Sequence, residues 1–330
     1  MFGNATPVDI DWLTEAMSLR PETQAGKSGK ISIEHEEHPA GKKLPVVSMR
    51  NALFMGMQPT SVQFSHPIIY RSLKCQDHGT WMTDSAQEIY QCRDFIQAVA
   101  GISLGIVSTD VLVGGLGLGC YSAILLGMTE ANVTTVEISR DVIKLVAPHV
   151  RKHEIIRRDI WKFIAEHPPG IFDAAILDTW QSTGEACWVS EVIPMRRLVR
   201  PKVPQVYCWN EQEMIGQFRQ CAFRKLALGA EEYATMDSHH RTLRYAAESE
   251  SLLGPGLELR GMETGDAFTA MMDAEQQLSG DAKLQALLDA FCHDIGSPEW
   301  EQRFGHHWDR AEQVGKQIAR RRARKNKAVA

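Results

Sequence analysis

Alternating apolar and polar positions dominate the first part of the chain. Residues 30–36 alternate as a half-buried strand does. Residues 68–84 contain two such runs around a polar turn, a pattern that predicts a β-hairpin. Asp84 or Ser85 then offers an N-cap for a helix whose apolar residues recur at helical spacing. The pattern predicts a small β-rich domain over residues 1–83.

From residue 109 onward, buried apolar strands alternate with helices. The predicted strands are 110–113, 132–138, 153–157, 172–178 and 203–209. This alternation is typical of a parallel sheet covered by crossover helices, so we expect an α/β fold with a Rossmann-like doubly wound sheet over residues 84–250. After residue 250 the strand pattern stops, and helical segments predict a C-terminal helical extension over residues 251–330.

A glycine-rich segment follows the first of these buried strands and precedes a helix. Gly115, Gly117 and Gly119 form the pattern G-x-G-x-G, which permits a tight turn and a close approach of backbone N–H groups to a ligand. Glu137 closes the next strand, where an acid can accept hydrogen bonds from both hydroxyls of a ribose. This order predicts a nucleoside-containing ligand. The alternative is a glycine-rich packing turn with a capping glutamate.

Several segments resemble one enzyme superfamily. Residues 111–119 resemble motif I of the class I S-adenosyl-L-methionine (SAM)-dependent methyltransferases. Residues 133–139 resemble the segment of that family that ends in the ribose-binding acid, and residues 172–178 resemble its fourth strand. The hairpin and linking helix ahead of them are similar to the spermidine synthase branch. The resemblance covers about residues 80–210 and implies a fold of the class I methyltransferase type with SAM as the cofactor.

The resemblance implies roles for the residues of the glycine segment and the strand after it. Gly115, Gly117 and Gly119 would lie against the methionine part of the cofactor. Glu137 would bind the ribose diol. Ile138 would pack on the adenine face, unless it is simply a buried strand residue.

Roles are implied for residues of the later strands and of the linker as well. Asp159 would accept a hydrogen bond from the adenine amino group, with the Ile160 backbone nearby. The alternative is that Asp159 caps the following helix, and the two roles are compatible. Asp178, at the end of the fourth strand, would lie beside the sulfonium as the catalytic base or as the anchor of the acceptor. Asp84 and Glu88 on the linker come next, and Asp84 would contact the cofactor unless it caps the helix.

Departures from the spermidine synthase pattern bear on the reaction. Leu118 stands where those enzymes carry an acid within the glycine loop, and the segment after Asp178 lacks their second carboxylate. Both features favour intact SAM and methyl transfer over the alternative, aminopropyl transfer.

Methyl transfer depends mainly on alignment, and a base is needed only where the acceptor loses a proton. A non-catalytic nucleoside-binding or scaffold protein is a third alternative, and the acceptor stays open.

The charge distribution restricts the partners. The chain carries 36 Lys+Arg against 41 Asp+Glu, for a net charge of −5. Residues 316–330 hold seven basic residues and no acid, which leaves about −12 for the rest. Any affinity for nucleic acid would therefore have to come from a local groove or from the tail from Arg320 to Lys327, and the alternative for that tail is a solvated helix end. Apolar residues within 278–291 could pair between two chains, so a homo-oligomer is left open.

Cysteine usage and hydropathy indicate the compartment. The seven cysteines are scattered without a C-x-x-C pair, which argues against a disulfide framework or a cysteine zinc site, and we predict no metal site. No apolar run reaches the ~18 residues that a membrane span requires. The first residues lack the basic head and apolar core of a secretory signal. We expect a cytoplasmic protein without membrane contact.

Overall fold

The computed structural model describes residues 8–48, 58–103, 109–180, 184, 187–228, 238–254, 256–257 and 262–329. The chain divides into two compact units. The first comprises Met1–Thr183 and Leu198–Glu213, and the second comprises Gly184–Arg197 and Met214–Ala330. The three domains predicted from the sequence, with boundaries at 83/84 and 250/251, stay predictions.

The first unit begins with a helix and six strands. They are α1 (Ile10–Ser18), β1 (Gly26–Ser28), β2 (Ile31–His38), β3 (Lys43–Val47), β4 (Thr60–Gln63), β5 (Ile68–Cys75) and β6 (Gly79–Thr83). Strands β1, β2, β5 and β6 form an antiparallel sheet in the order β1-β2-β5-β6, while β3 pairs with β4. The predicted hairpin is confirmed, because β5 and β6 pair antiparallel with Cys75 opposite Gly79.

Two helices, α2 (Ala86–Gln91) and α3 (Arg93–Ser103), follow the hairpin. Of the two predicted caps of α2, Ser85 is the cap, since its hydroxyl accepts a hydrogen bond from Glu88 N at 3.4 Å. The capping interpretation of Asp84 is wrong. Its buried carboxylate instead accepts a hydrogen bond from Arg71 N at 2.6 Å and lies 3.1 Å from Nη1 of Arg20.

A five-stranded parallel sheet forms the rest of the first unit. Its elements are β7 (Thr109–Gly114), α4 (Cys120–Met128), β8 (Ala131–Glu137), α5 (Arg140–Val146), β9 (Glu154–Arg157), α6 (Ile160–Glu166), β10 (Ala174–Leu177) and β11 (Gln205–Cys208). The strand order is β11-β10-β7-β8-β9, and every pairing is parallel. Strands β8 and β9 follow β7 on one side of the sheet, and β10 and β11 are then added on the other side of β7, so the sheet is doubly wound. The predicted Rossmann-like α/β fold is confirmed.

Hydrophobic strands explain why this sheet forms. All four residues of β10 are buried, as are five of the six residues of β7. Strands buried on both faces are what a parallel sheet covered by helices requires. Burial of these apolar side chains contributes roughly 1.5–3 kcal/mol for each large residue removed from water.

Helices make up the second unit in the described residues, apart from an isolated bridge between Leu228 and Leu257. They are α7 (Ile193–Val199) and α8 (Glu211–Leu226), which both cross a unit boundary, then α9 (Ser238–Ser249), α10 (Thr264–Ser279), α11 (Ala282–Cys292), α12 (Pro298–Trp300) and α13 (His306–Val329). No helix in the described part of the chain is long and apolar enough to cross a membrane. The basic tail lies on α13, but its side chains from Arg321 onward are outside the described residues, so contact with nucleic acid stays a prediction.

A buried histidine lies in the core of the second unit. His240 on α9 is fully buried, and its ring centroid lies 6.1 Å from that of Phe218. Within the described part of the chain, neither ring nitrogen has a hydrogen-bond partner. Burial, together with the charges of His239 and Lys225, lowers the pKa of His240 to about 2. The folded protein therefore holds this imidazole neutral.

We predict that His240 makes the second unit sensitive to acid. The unfolded chain protonates this histidine below about pH 6.5 while the folded chain does not, so stability is lost as the pH falls through that value. Between pH 7 and pH 5, the free energy of unfolding in urea should fall by about 2 kcal/mol more in the wild type than in His240→Leu. Phe218→Leu, an uncharged change in the same core, should lower it equally at both pH values. An equal fall in the wild type and His240→Leu would contradict this account.

Candidate functional site

The centre of the parallel sheet brings three strand ends together. Strand β7 lies between β8 and β10, and the direction of winding reverses between β7 and β10. Asp178 N donates a hydrogen bond to Gly114 O, and Gly115 N donates to Val136 O, both at 2.9 Å. The glycine segment, Glu137 and Asp178 thus share the carboxyl edge of the sheet at its topological switch point. Open α/β sheets bind their ligands in this crevice.

The glycine loop is packed closely against protein atoms. Gly115 has φ +94°, and a side chain there would overlap the carbonyl oxygen of Asp178. Gly117 has φ +51°, and a side chain there would overlap the sulfur of Met82. Met82 Sδ also accepts a hydrogen bond from Leu118 N at 3.1 Å. These two glycines are required by the fold itself, whatever ligand the loop approaches.

Glu137 connects the glycine loop to the start of α5. Its carboxylate accepts hydrogen bonds from Leu116 N at 2.9 Å and from Ser139 N at 2.7 Å, on different oxygens. A carboxylate oxygen has capacity for a further donor, so these bonds leave room for ribose hydroxyls. The next residue, Ile138, is 65% exposed. The interpretation of Ile138 as a buried strand residue is therefore wrong, and its apolar side chain lies open at this edge.

Asp159 lies two residues beyond the end of β9. Its side chain accepts hydrogen bonds from Trp161 N at 2.8 Å and Lys162 N at 3.3 Å, which confirms the capping interpretation. Ile160, the first residue of α6, is buried. A second acceptor function of Asp159 toward an adenine stays a prediction.

An acidic cluster surrounds the end of β10. The hydroxyl of Tyr121 donates a hydrogen bond to Asp178. Glu88 lies close enough for its charge to act on both Asp178 and Tyr121. The Glu88 carboxylate is held by Thr83, whose N and Oγ1 each donate to it at 2.8 Å. Asp178, Glu88 and Tyr121 thus form a set of interacting side chains beside the glycine loop.

This cluster has an unusual electrostatic state. Burial, reinforced by the charges of Glu88 and Glu137 and opposed by the hydrogen bond from Tyr121, raises the pKa of Asp178 to about 8. Burial also raises the pKa of Glu88 to about 7, despite the two hydrogen bonds from Thr83 that favour its charged form. Both carboxyl groups therefore exchange protons near neutral pH, as suits groups that act as acid or base.

Some of these residues could not be predicted from the chain alone. Tyr121 and Met82 were not predicted, because their partners lie far away in sequence. Leu118 belongs to the buried core, which explains an apolar residue there without reference to the cofactor. Trp180 is 5% exposed, and its indole N–H has no hydrogen-bond partner among the described residues.

Asp84, which was predicted to contact the cofactor, forms ion pairs with two arginines in the structure. Its carboxylate is 1% exposed and is held by Arg20 and Arg71 at 3.1 and 2.8 Å. Its negative charge still acts on Glu88, where it raises the pKa. The structure thus gives Asp84 a structural and electrostatic role, and contact with a cofactor stays a prediction.

Comparisons with known proteins give a distant likeness to methyltransferase structures. No family model matches the chain, and no curated relative matches it. It is similar to SMU.776, a putative methyltransferase complexed with SAH, at 14% identity over 41% of this chain and 37% of that chain, with a TM-score of 0.30. A putative SAM-dependent methyltransferase from Streptococcus mutans gives 13% identity over 49% and 47% of the two chains and a TM-score of 0.32.

A third solved structure, MNMC2 from Aquifex aeolicus, is 12% identical over 66% of this chain and 82% of that chain, with a TM-score of 0.34. The chain spans less than half the length of the first solved structures that it matches. The Rossmann-like fold itself is established by the parallel strand order described above.

We predict that Asp178 destabilises the ligand-free protein above neutral pH. The folded state keeps the proton on Asp178 up to about pH 8, while the unfolded chain loses it near pH 4, so stability falls as the pH rises between these values. From pH 5 to pH 8, the free energy of unfolding in urea should fall by about 3–4 kcal/mol more in the wild type than in Asp178→Asn. Asp94→Asn, at an exposed position on α3, serves as the control and should follow the wild type. If the free energy of unfolding fell as steeply or more steeply with pH in Asp178→Asn than in the wild type, Asp178 would not be the cause of the pH dependence.

Proposed function

We propose that the protein is a SAM-dependent methyltransferase. The observation that carries this proposal is the acidic cluster at the topological switch point, where the charges of Glu88 and Glu137 both act on Asp178 at the end of β10. Carboxyl groups whose pKa values are raised by burial and mutual repulsion are relieved by a cationic ligand. The sulfonium of SAM is such a ligand, and the crevice at the carboxyl ends of β7 and β10 is where it would lie.

The residues around this crevice fit the rest of the cofactor. Glu137 has hydrogen-bonding capacity left for a ribose diol, and the exposed Ile138 offers an apolar surface to an adenine ring. The buried indole N–H of Trp180 lacks an acceptor in the described residues, and a buried donor without a partner costs about 1–3 kcal/mol. A ligand carbonyl or carboxylate that reached this donor would remove the penalty.

Methyl transfer from SAM requires alignment of the two reactants and, where the acceptor loses a proton, one group that takes up that proton. When bound, SAM supplies an activated methyl group, so positioning provides much of the rate. Asp178 is the base that we expect to accept a proton from the acceptor, once the positive charge of the bound cofactor has favoured its ionised form. Tyr121 orients the Asp178 carboxyl group through its hydroxyl, and Glu88 supplies a second carboxyl group nearby.

One observation favours aminopropyl transfer as a second candidate. The segment after Asp178 lacks a second acid, but Glu88 brings a second carboxyl group into the cluster from the linker helix. Two carboxyl groups suit a cationic amine as well as they suit a sulfonium. Decarboxylated SAM therefore belongs in every binding experiment, because a preference for it would favour this second candidate.

We further propose that the reaction takes place in the cytoplasm. None of the seven cysteines forms a disulfide, which is the state expected in a reducing compartment.

We expect calorimetric titration to detect micromolar binding of SAM and of S-adenosylhomocysteine. Glu137→Gln should abolish measurable binding, because it removes the charged acceptor at the ribose position. Ile138→Ala changes a side chain that is 65% exposed, and it should weaken binding by about fivefold through lost apolar contact.

Glu154→Gln is the matched control, because Glu154 begins β9 at the opposite edge of the same sheet. It should bind SAM as the wild type does. NAD should not bind. Absence of binding to SAM, S-adenosylhomocysteine and decarboxylated SAM alike would refute both enzyme proposals and favour the non-catalytic alternative.

A further inference from the structure

A group of three potential metal ligands lies at the tip of the β5–β6 hairpin, and none of its members belongs to the candidate site described above. It consists of Cys75, Asp77 and His78, and one donor atom from each lies within 4.8 Å of the other two. In the described part of the chain this is the only group of three or more such residues that meets this distance. A prediction based on cysteine pairs misses it, since it contains a single cysteine.

The backbone of the hairpin tip is fixed from two sides. Cys75 pairs with Gly79 across the hairpin, and His78 N donates a hydrogen bond to Cys75 O at 3.2 Å. On the other side, Cys75 pairs with Ile31 of β2, and Gln76 N donates to Lys30 O at 2.9 Å. Two sets of hydrogen bonds therefore hold the three ligand positions together before any ion binds, which lowers the entropy that binding must overcome.

The donor set selects the class of ion. A thiolate and an imidazole are preferred by Zn²⁺ and its first-row neighbours, whereas Mg²⁺ and Ca²⁺ prefer oxygen donors. Cys75 is buried, while Asp77 and His78 are exposed, so the sulfur forms the floor and the two exposed groups can close over an ion. Three protein ligands leave a fourth tetrahedral position for water.

A cation already occupies one side of this cluster. Lys30 Nζ lies 2.6 Å from Asp77 Oδ2, so this ammonium group forms an ion pair with one of the three ligands. Both side chains are more than 40% exposed, so the ion pair is weak and can be displaced. Lys30 is thus a built-in competitor of any metal ion at this position.

We propose that Cys75, Asp77 and His78 form a binding site for Zn²⁺ or a similar first-row divalent ion. Binding exchanges the thiol proton of Cys75 for a metal–sulfur bond and separates Lys30 from Asp77. The ion would brace the tip of the hairpin whose second strand, β6, carries Met82 to the glycine loop. This site does not depend on the proposed methyl transfer, and its failure would leave that proposal untouched.

The test is a titration of the tag-free, full-length, reduced protein with Co²⁺, followed by Zn²⁺. A tetrahedral site that includes a thiolate should give a sulfur-to-cobalt charge-transfer band in the near ultraviolet. The band should saturate at about one ion per chain and disappear when Zn²⁺ is added. Cys75→Ser should abolish the band, and Cys221→Ser, at a partly buried cysteine of the second unit, should keep it.

Two exposed variants keep the test independent of folding, because Cys75 belongs to the core. His78→Ala should weaken Co²⁺ binding by at least about tenfold. Lys30→Met should strengthen it by about two- to fivefold, the change expected when an exposed ion pair no longer competes. Absence of the band, its survival in Cys75→Ser, or weaker binding by Lys30→Met would each overturn the proposal.

Discussion

The carboxylate of Glu137 is the interaction on which the carboxyl edge of the sheet depends. Its two oxygens accept hydrogen bonds from backbone N–H groups of different loops, at Leu116 and Ser139. Because successive residues at a strand end point to opposite sides, an inward Glu137 turns Ile138 outward. One buried charge therefore fixes the path of the glycine loop, anchors the entry to α5 and presents an apolar side chain to solvent.

A second acid, Asp178, lies within reach of this charge, and a third, Glu88, acts on Asp178 as well. Asp178 feels the charges of both Glu88 and Glu137, and the arginines described nearby, Arg20 and Arg71, are engaged with Asp84. Protonation relieves the repulsion in the ligand-free protein, as the raised pKa values of Asp178 and Glu88 indicate. A bound cation would relieve the same repulsion and return protons to water. Binding of a cationic ligand and protonation of the site are therefore thermodynamically linked, because each relieves the same repulsion and each opposes the other.

The sequence predicts what depends on local pattern. The buried strands, the hairpin, the cap at Ser85 and the acid at the end of β8 follow from hydrophobic period and capping chemistry. Contacts between distant segments do not. Neither the place of Met82 against Gly117 nor the bond from Tyr121 to Asp178 has a local signal, because each joins elements that only the fold brings together. Leu118 is a different case. The leucine in place of the acid of spermidine synthases was interpreted as a sign of cofactor choice, but core packing explains it as well.

The mutual repulsion of the acids has a consequence for the lifetime of the protein. A site whose charges repel one another when empty makes the ligand-free chain less stable, and a ligand that binds only the folded state restores that stability in proportion to its concentration. In cells, quality-control proteases act on the transiently unfolded fraction, so a difference of 1–2 kcal/mol changes abundance about severalfold. If the cationic ligand proposed above binds at this site, the amount of the protein would follow the supply of that ligand without any dedicated regulator.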